Sequence, residues 1–529
     1  MRSNVRLLCA LALSSMGVSP ALAGSYSMVR VGRAAAPSGV AEIVSFDKVN
    51  RRLYTTNAGG LEFFKVGPGG GVALKGAIDL GGVFPAVSSV ASVAIDPLGR
   101  GFGAASVIPD PNDGSVGAIV LFDTATNAVI KTLSIGFNPD SVSFTPDGMR
   151  VVVADEGEPN TVDPDGSLSI LDLSGVASAG DVGGLTQGQV GTFDFRAPNL
   201  GAGVTLDGLR INPANAGNRA ADMEPEYVAA DNDGVWVSLQ ENNALARFDF
   251  ASQQWTTIHN LGGIDQTVDA SDRDGGAFID DVVRGLFMPD AIASYEVGGT
   301  RYVLTANEGD ARDDEEVRFK DANIDPTVLA NLDALYGGDA KADAALGRLT
   351  LSAIDGDTDG DGDIDVPTMY GTRSFTIWNA ETGGVVFDSG SDFESITAAT
   401  MPSIFNSEGG VGTFDGRSDN KGPEPEGMEL GVINGRTFAF IGLERVGGVM
   451  MYDVTNPESA VFVDYLNTAL EVNGGLAPEG LDFFEMDGRH YLAVSYEESG
   501  TVEVFRIVPA PSALALIGMA GLAATRRRR

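Results

Sequence analysis

Cysteine is nearly absent from this 529-residue chain, which contains only Cys9. That residue lies where Arg2 and Arg6 precede the apolar run Leu7 to Val18 and the small-residue site Ala21-Leu22-Ala23. The pattern is that of a secretory signal peptide over residues 1–23. The exported protein is therefore expected to hold no thiol, which excludes disulfides, thiolate metal sites and cysteine nucleophiles. Histidine is equally scarce, with only His259 and His490. Neither falls near the acid-rich segments described below, so a Ser-His-acid hydrolase lacks its base. Soft metals lack their ligands for the same reason. No phosphate-cradling loop, dinucleotide fingerprint or haem-attachment motif is present. Positive charge is also short: 35 Lys and Arg stand against 73 Asp and Glu, a formal net charge of −38, and discounting the six arginines of the two ends makes it −44. Such a surface repels phosphate backbones, so nucleic acid is excluded as a partner. It suits cation binding and solubility outside the cell.

Glycine and β-forming residues are plentiful. With 69 glycines, 43% hydrophobic residues and few helical patterns, the chain reads as all-β. A hairpin pattern recurs, clearest at Glu424-Pro425-Glu426-Gly427-Met428-Glu429-Leu430, then Asn434-Gly435, then Arg436 to Glu444. It is a Pro-acid entry, a strand, a two-residue turn, a second strand and a closing acid. The same order runs from Pro139-Asp140 to Glu156, from Pro225-Glu226 to Glu241, from Pro289-Asp290 to Glu308, and from Pro478-Glu479 to Glu497. Degenerate copies occur at residues 41–64 and 89–107. Five copies and two make a seven-bladed β-propeller the expected fold.

In an antiparallel hairpin the start of the first strand and the end of the second share an edge. Asp140, Glu226, Asp290, Glu426 and Glu479 should then meet Glu156, Glu241, Glu308, Glu444 and Glu497 at one mouth of the channel. Like charges brought that close bind cations or protons. The competing reading is that each proline fixes a bend and each acid merely caps loop amides. Asp310 and the cations Arg312, Lys421 and Arg445 lie near these acids in sequence. The cations could steady an anion over a metal or simply pair with neighbouring carboxylates.

Two long inserts interrupt the pattern. Residues 174–221 are rich in Gly, Ala and Asn. Residues 308–370 fall within the fifth blade, where Pro326 starts a helix with Leu329, Leu332 and Leu335 at three-residue spacing. The insert continues into Asp355-Gly356-Asp357-Thr358-Asp359-Gly360-Asp361-Gly362-Asp363-Ile364-Asp365. Read from Asp357, it has acids at positions 1, 3 and 5, glycine at 6 and an apolar residue at 8. Asp357, Asp359, Asp361, Asp363 and Asp365 are thus candidate calcium ligands, although Thr368 stands at position 12 where an EF-hand has glutamate.

Residues 24–40 read as a flexible lead and residues 41–507 as the propeller. Residues 508–529 combine Pro509-Ala510-Pro511, an apolar run and Arg526 to Arg529, resembling the PEP-CTERM sorting tails read by exosortases in Gram-negative bacteria. Ala510 replaces their usual glutamate. The body resembles the choice-of-anchor I family of exported propeller proteins. The resemblance rests on Asp222-Met223-Glu224-Pro225-Glu226-Tyr227, Leu239-Gln240-Glu241-Asn242-Asn243, Met288-Pro289-Asp290-Ala291-Ile292, Leu304 to Arg312, and Gly371 to Trp378. It is similar, too, to animal mesenchyme-specific surface glycoproteins. The resemblance implies a propeller and export, without an agreed reaction. The expected function is that of an envelope- or surface-sorted binding or matrix component holding Ca²⁺ or Mg²⁺, with an unidentified extracellular ligand and exosortase-type machinery as partners. The alternative is a calcium-dependent phosphoesterase, suggested by the alkaline-phosphatase labels of some relatives.

Overall fold

The computed structural model describes residues 26–81, 87–110, 114–157, 163–312 and 315–510. The expected signal peptide and most of the sorting tail lie outside them. Among the described residues no helix is long and apolar enough to cross a membrane.

Seven four-stranded antiparallel sheets are present among the described residues. In chain order their first strands are Val44–Asp47, Val87–Ile95, Pro139–Phe144, Pro225–Ala230, Ile292–Val297, Pro425–Ile433 and Pro478–Met486. Each first strand packs against the next, and the last packs against the first, so the seven close a ring. A central cavity of about 510 Å³ is lined by all seven. Sheets radiating from a shared channel are the arrangement of a β-propeller, in which the inner edge of each sheet faces the channel.

The hairpin turns follow their sequences. Asn434 and Gly435 both have positive φ, at 52° and 76°, as do Asp487 and Gly488, at 53° and 68°. This is the turn whose twist matches the flanking strands. Alternate side chains of neighbouring sheets interleave into contiguous cores. One contains Leu304, Phe375, Phe393, Ile441 and Tyr452, and another Val237, Phe248, Phe195 and Trp255.

The expected lead needs correction, and both inserts contribute strands. Residues 26–35 are no flexible lead: Tyr26–Ala35 pairs antiparallel with Thr501–Pro509 as the outermost strand of the seventh sheet. The partner lies more than 450 residues away, so nothing local in the sequence marks the pairing. In the insert 174–221, Val190–Asp194 is the fourth strand of the third sheet. In the insert 308–370, short strands at Glu316–Arg318 and Thr350–Ser352 pair with each other, and Thr368–Met369 runs parallel to Asp281–Leu286. Phe319, Ile324, Leu346, Leu349, Leu351 and Ile364 fill a core there. The helix Pro326–Tyr336 is capped by Asp325, which accepts from the Thr327 and Val328 amides. Leu329, Leu332 and Tyr336 pack on that core, while Leu335 is 77% exposed. A strict three-residue step drifts around a 3.6-residue helix, which brings Tyr336 inward and leaves Leu335 out.

A candidate metal centre at the channel mouth

The Pro-acid entries share a corner that the sequence does not announce. The residue before proline has positive φ in four of the five: Asn138 at 44°, Met288 at 42°, Glu424 at 51° and Ala477 at 57°. Non-glycine residues avoid this region, and such strain gathers at sites the surrounding structure must hold in place. Directly after the proline, the first strand carries one extra residue against its partner. The shift falls between Pro139 and Val142, Pro225 and Val228, Pro425 and Met428, and Pro478 and Leu481. A bulge of this kind re-aims the side chain it carries, here the entry acid. The closing acids are tied to the same corners. Glu156, Glu444 and Glu497 donate their amides to the carbonyls of Asn138, Glu424 and Ala477 at 3.0, 2.8 and 2.9 Å.

The ten acids expected at one mouth feel one another there. Burial pushes Glu226 well above the usual carboxylate range, with Glu241, Asp290, Glu156 and Asp140 adding to it. Burial, then Glu308 and Asp140, does the same to Asp290. For Glu426 the causes are burial, then Glu444, Glu479 and Glu308; for Glu479 they are burial, then Glu42 and Glu497. Glu444 is pushed up to about 9 by burial, Glu308 and Glu424. One oxygen on each of Glu226, Asp290, Glu426 and Glu479 is buried without a hydrogen-bond partner. A buried carboxylate oxygen left unmatched is costly.

Two overlapping triads emerge from this crowd. The ligand atoms of Asp290, Glu308 and Glu426 lie within 4.8 Å of one another, as do those of Glu308, Glu424 and Glu444. They differ in their internal cations. Lys421 Nζ sits 2.8 Å from Glu308, 2.7 Å from Asp310 and 3.7 Å from Glu424. Burial would raise Glu424, but Lys421, Arg417 and Arg445 outweigh it and hold its carboxyl below the usual range. The second triad is therefore served by the protein's own cations. The first shares only Glu308 with Lys421, and its Asp290 and Glu426 retain unmatched oxygens. Three hard oxygen donors at this spacing fit Ca²⁺ or Mg²⁺.

The other anticipated residues divide. Arg312 pairs with Glu224 at 2.5 Å and Glu315 at 3.4 Å, and Arg445 with Glu444 at 2.9 Å and Glu424 at 3.2 Å. Glu156, Glu241, Glu479 and Glu497 line the acidic end without joining either triad. Sequence reasoning passed over Glu42, Glu224 and Glu424. The doubly acidic entries Glu224-Pro225-Glu226 and Glu424-Pro425-Glu426 were a signal for the last two. His259 stacks on Trp236 and His490 on Phe483, so both serve packing.

In the acidic loop, Asp357, Asp359 and Asp361 converge within 4.8 Å, and so do Asp325, Asp363 and Asp365. Asp357 accepts from the Gly360 and Gly362 amides at 2.7 and 3.0 Å. Ile364 anchors the loop in the insert core. Thr368 is buried in a strand and is no twelfth-position ligand. Asp355 is taken up by Arg210 at 2.8 Å.

A closed ring of antiparallel sheets around an acid-rimmed channel defines the chain as a β-propeller protein. It belongs to the choice-of-anchor I domain family, whose description matches residues 42–457. Among curated proteins it is similar to Gigasin-3a of Magallana gigas, 31% identical over 187 residues, which is 31% of this chain and 66% of that protein. It is similar also to the mesenchyme-specific cell surface glycoprotein of Strongylocentrotus purpuratus, 27% identical over 221 residues, or 35% of this chain and 28% of that one. The chain thus spans less than two thirds of either relative. Among solved structures, the Cps50 (Swd1) β-propeller domain of Myceliophteria thermophila aligns at TM-score 0.41 and 9% identity, covering 91% of this chain and 99% of that one. Kuenenia stuttgartiensis hydrazine synthase aligns at 0.47 and 12%, covering 89% and 97%. Likeness this distant carries no argument about function.

Proposed function

We propose that this protein is a surface-associated or extracellular seven-bladed β-propeller, one blade per four-stranded sheet, that holds a divalent cation at its acidic mouth and acts as a binding or matrix component. The observation that carries the reading is the Asp290, Glu308 and Glu426 triad, which combines convergent oxygens with buried, unmatched ones. Ca²⁺ or Mg²⁺ is the matching ion, since the donors are carboxylates alone. The Asp357 to Asp365 loop is a second, exposed Ca²⁺ site in this reading, stiffening the insert. The family membership and the name of the sea-urchin relative support a surface location. The C-terminal tail would assign the protein to a Gram-negative envelope through exosortase-type processing.

The engagement of Arg312, Lys421 and Arg445 with carboxylates favours binding over phosphoester hydrolysis, which needs a cation free to meet phosphate. Equilibrium dialysis against Ca²⁺ tests the proposal. The wild-type protein should hold a mouth ion that Glu308→Gln loses, while Asp359→Asn loses only the loop ion. Retention of every ion by Glu308→Gln would refute the mouth site. Calcium-dependent hydrolysis of a phosphomonoester, abolished by Glu308→Gln, would replace the binding role with the enzymatic one.

A further inference from the structure

The sixth and seventh sheets begin with one motif in two copies, Pro425-Glu426-Gly427-Met428-Glu429 and Pro478-Glu479-Gly480-Leu481-Asp482. Their first strands are neighbours in the ring. At the fifth motif position the third, fourth and fifth sheets have Ser143, Ala229 and Ala293, so a second acid is confined to these two strands. The bulge after each proline adds a residue, which returns the second and fifth positions, the two acids, to the same side of the strand. The glycine between them is obligatory. A Cβ on Gly427 would lie 2.1 Å from the Glu479 carbonyl, and one on Gly480 would lie 2.6 Å from the Val44 amide.

Two storeys of carboxylate result, and the central cavity joins them. Glu479 lines the cavity at its acidic end, and Glu429 and Asp482 line it deeper, on the way to Pro97 and Pro146. The cavity lining also includes the apolar Val228, Ile292, Met428 and Leu481 beside Ser45, Ser92, Ser141 and Ser143. Asp482 accepts from the Phe46 amide at 2.6 Å. Among the described residues no lysine or arginine acts on Glu429 or Asp482. Burial raises Glu429 well above the carboxylate range with Asp482 adding to it, and burial brings Asp482 up to about 6. At the outer storey Glu479 has a buried oxygen without a partner. Beside it Glu226, 9% exposed, has another. Both acids neighbour Tyr227, which itself lines the cavity.

A single metal ion can serve one storey only. Because the bulge takes up one of the three residue steps between the acids, the storeys lie roughly 7 Å apart along the strand, a gap that about three to five methylenes carrying an ammonium at each end can cross. We propose that the channel binds a short aliphatic diamine, with one ammonium at Glu479, the other between Glu429 and Asp482, and the methylene chain against Met428, Leu481 and Ile292. Contact with Met428, Leu481 and Ile292 rewards the chain's burial, and the two charged ends match otherwise uncompensated carboxylates. This site adjoins the Asp290, Glu308 and Glu426 triad at the outer storey but shares no ligand with it, since the ammonium there is held by Glu479.

Calorimetric titration with 1,4-diaminobutane, 1,5-diaminopentane and n-butylamine tests the proposal. The diamines should bind at one site per chain, with the monoamine at least ~10-fold weaker. Glu429→Gln with Asp482→Asn should weaken diamine binding by ~10-fold or more while leaving Ca²⁺ uptake unchanged. Glu308→Gln should do the reverse. Both substitutions keep side-chain shape, and thermal unfolding of the double variant checks its fold; if that variant does not fold, Glu429→Gln alone carries the test. Absence of diamine binding, equal binding of n-butylamine, or full binding by the Glu429 and Asp482 variant would each overturn the proposal. Loss of diamine binding in Glu308→Gln would also overturn it, by making the two sites one.

Discussion

Asp269 carries a carboxyl with no access to solvent. Its oxygens accept from the amides of Phe278 at 2.6 Å and Ser271 at 3.3 Å. Burial pushes it up to about 9, with Asp415 and Glu394 adding to the shift, and burial raises Asp415 to about 7. Both values lie above the ordinary 3.8, so the folded protein takes up protons that the unfolded chain has released. The stability these carboxyls contribute is fully present below about pH 4 and is lost as pH rises through 7 and then 9. Metal-free protein should therefore show a melting temperature that falls by ~2 °C or more from about pH 5 to about pH 9. Asp269→Asn, which keeps an acceptor for Phe278 and removes the charge, should flatten the upper part of that fall. An unchanged slope in the variant would assign the pH dependence to other groups.

The recurring element is the corner: a strained residue, a proline, an acid re-aimed by a bulge, then close contact with the next sheet. Gly427 marks where two such corners touch, and Gly427→Ala should cost about 1–3 kcal/mol, read as a lower denaturant midpoint at constant slope. Stability unchanged by that substitution would mean that the sixth and seventh sheets are farther apart than described. Much of this element was legible. Asn434-Gly435 and Asp487-Gly488 spelled out their turns, and the spacing from Pro425 to Glu444 implied that entry and exit acids share an end. The bulge was not legible, because a one-residue register shift has no residue signature beyond Gly427 and Gly480 themselves. The ion pairs that separate an internally neutralised triad from an open one were hidden too. They join Lys421 to Glu308 and Arg312 to Glu224, across more than 80 residues in each case.

At the scale of the molecule, ring closure depends on its most distant pairing, Tyr26–Ala35 with Thr501–Pro509. The hairpin pattern pointed to an all-β fold of repeated sheets but not to the closing strand, since a strand's partner is chosen by the closed ring and not by its neighbours in the chain. Packing of the fifth sheet on the sixth brings Asp290, Glu308 and Glu426 to one point, and closure turns seven sheet edges into one channel. The central claim is that this point holds a divalent cation. Anomalous X-ray diffraction from crystals grown with Ca²⁺ tests it most directly. The account predicts a peak between Asp290, Glu308 and Glu426, with oxygens at roughly 2.3–2.6 Å, that is absent from Glu308→Gln crystals. A vacant triad beside an occupied Asp357 to Asp365 loop would contradict it.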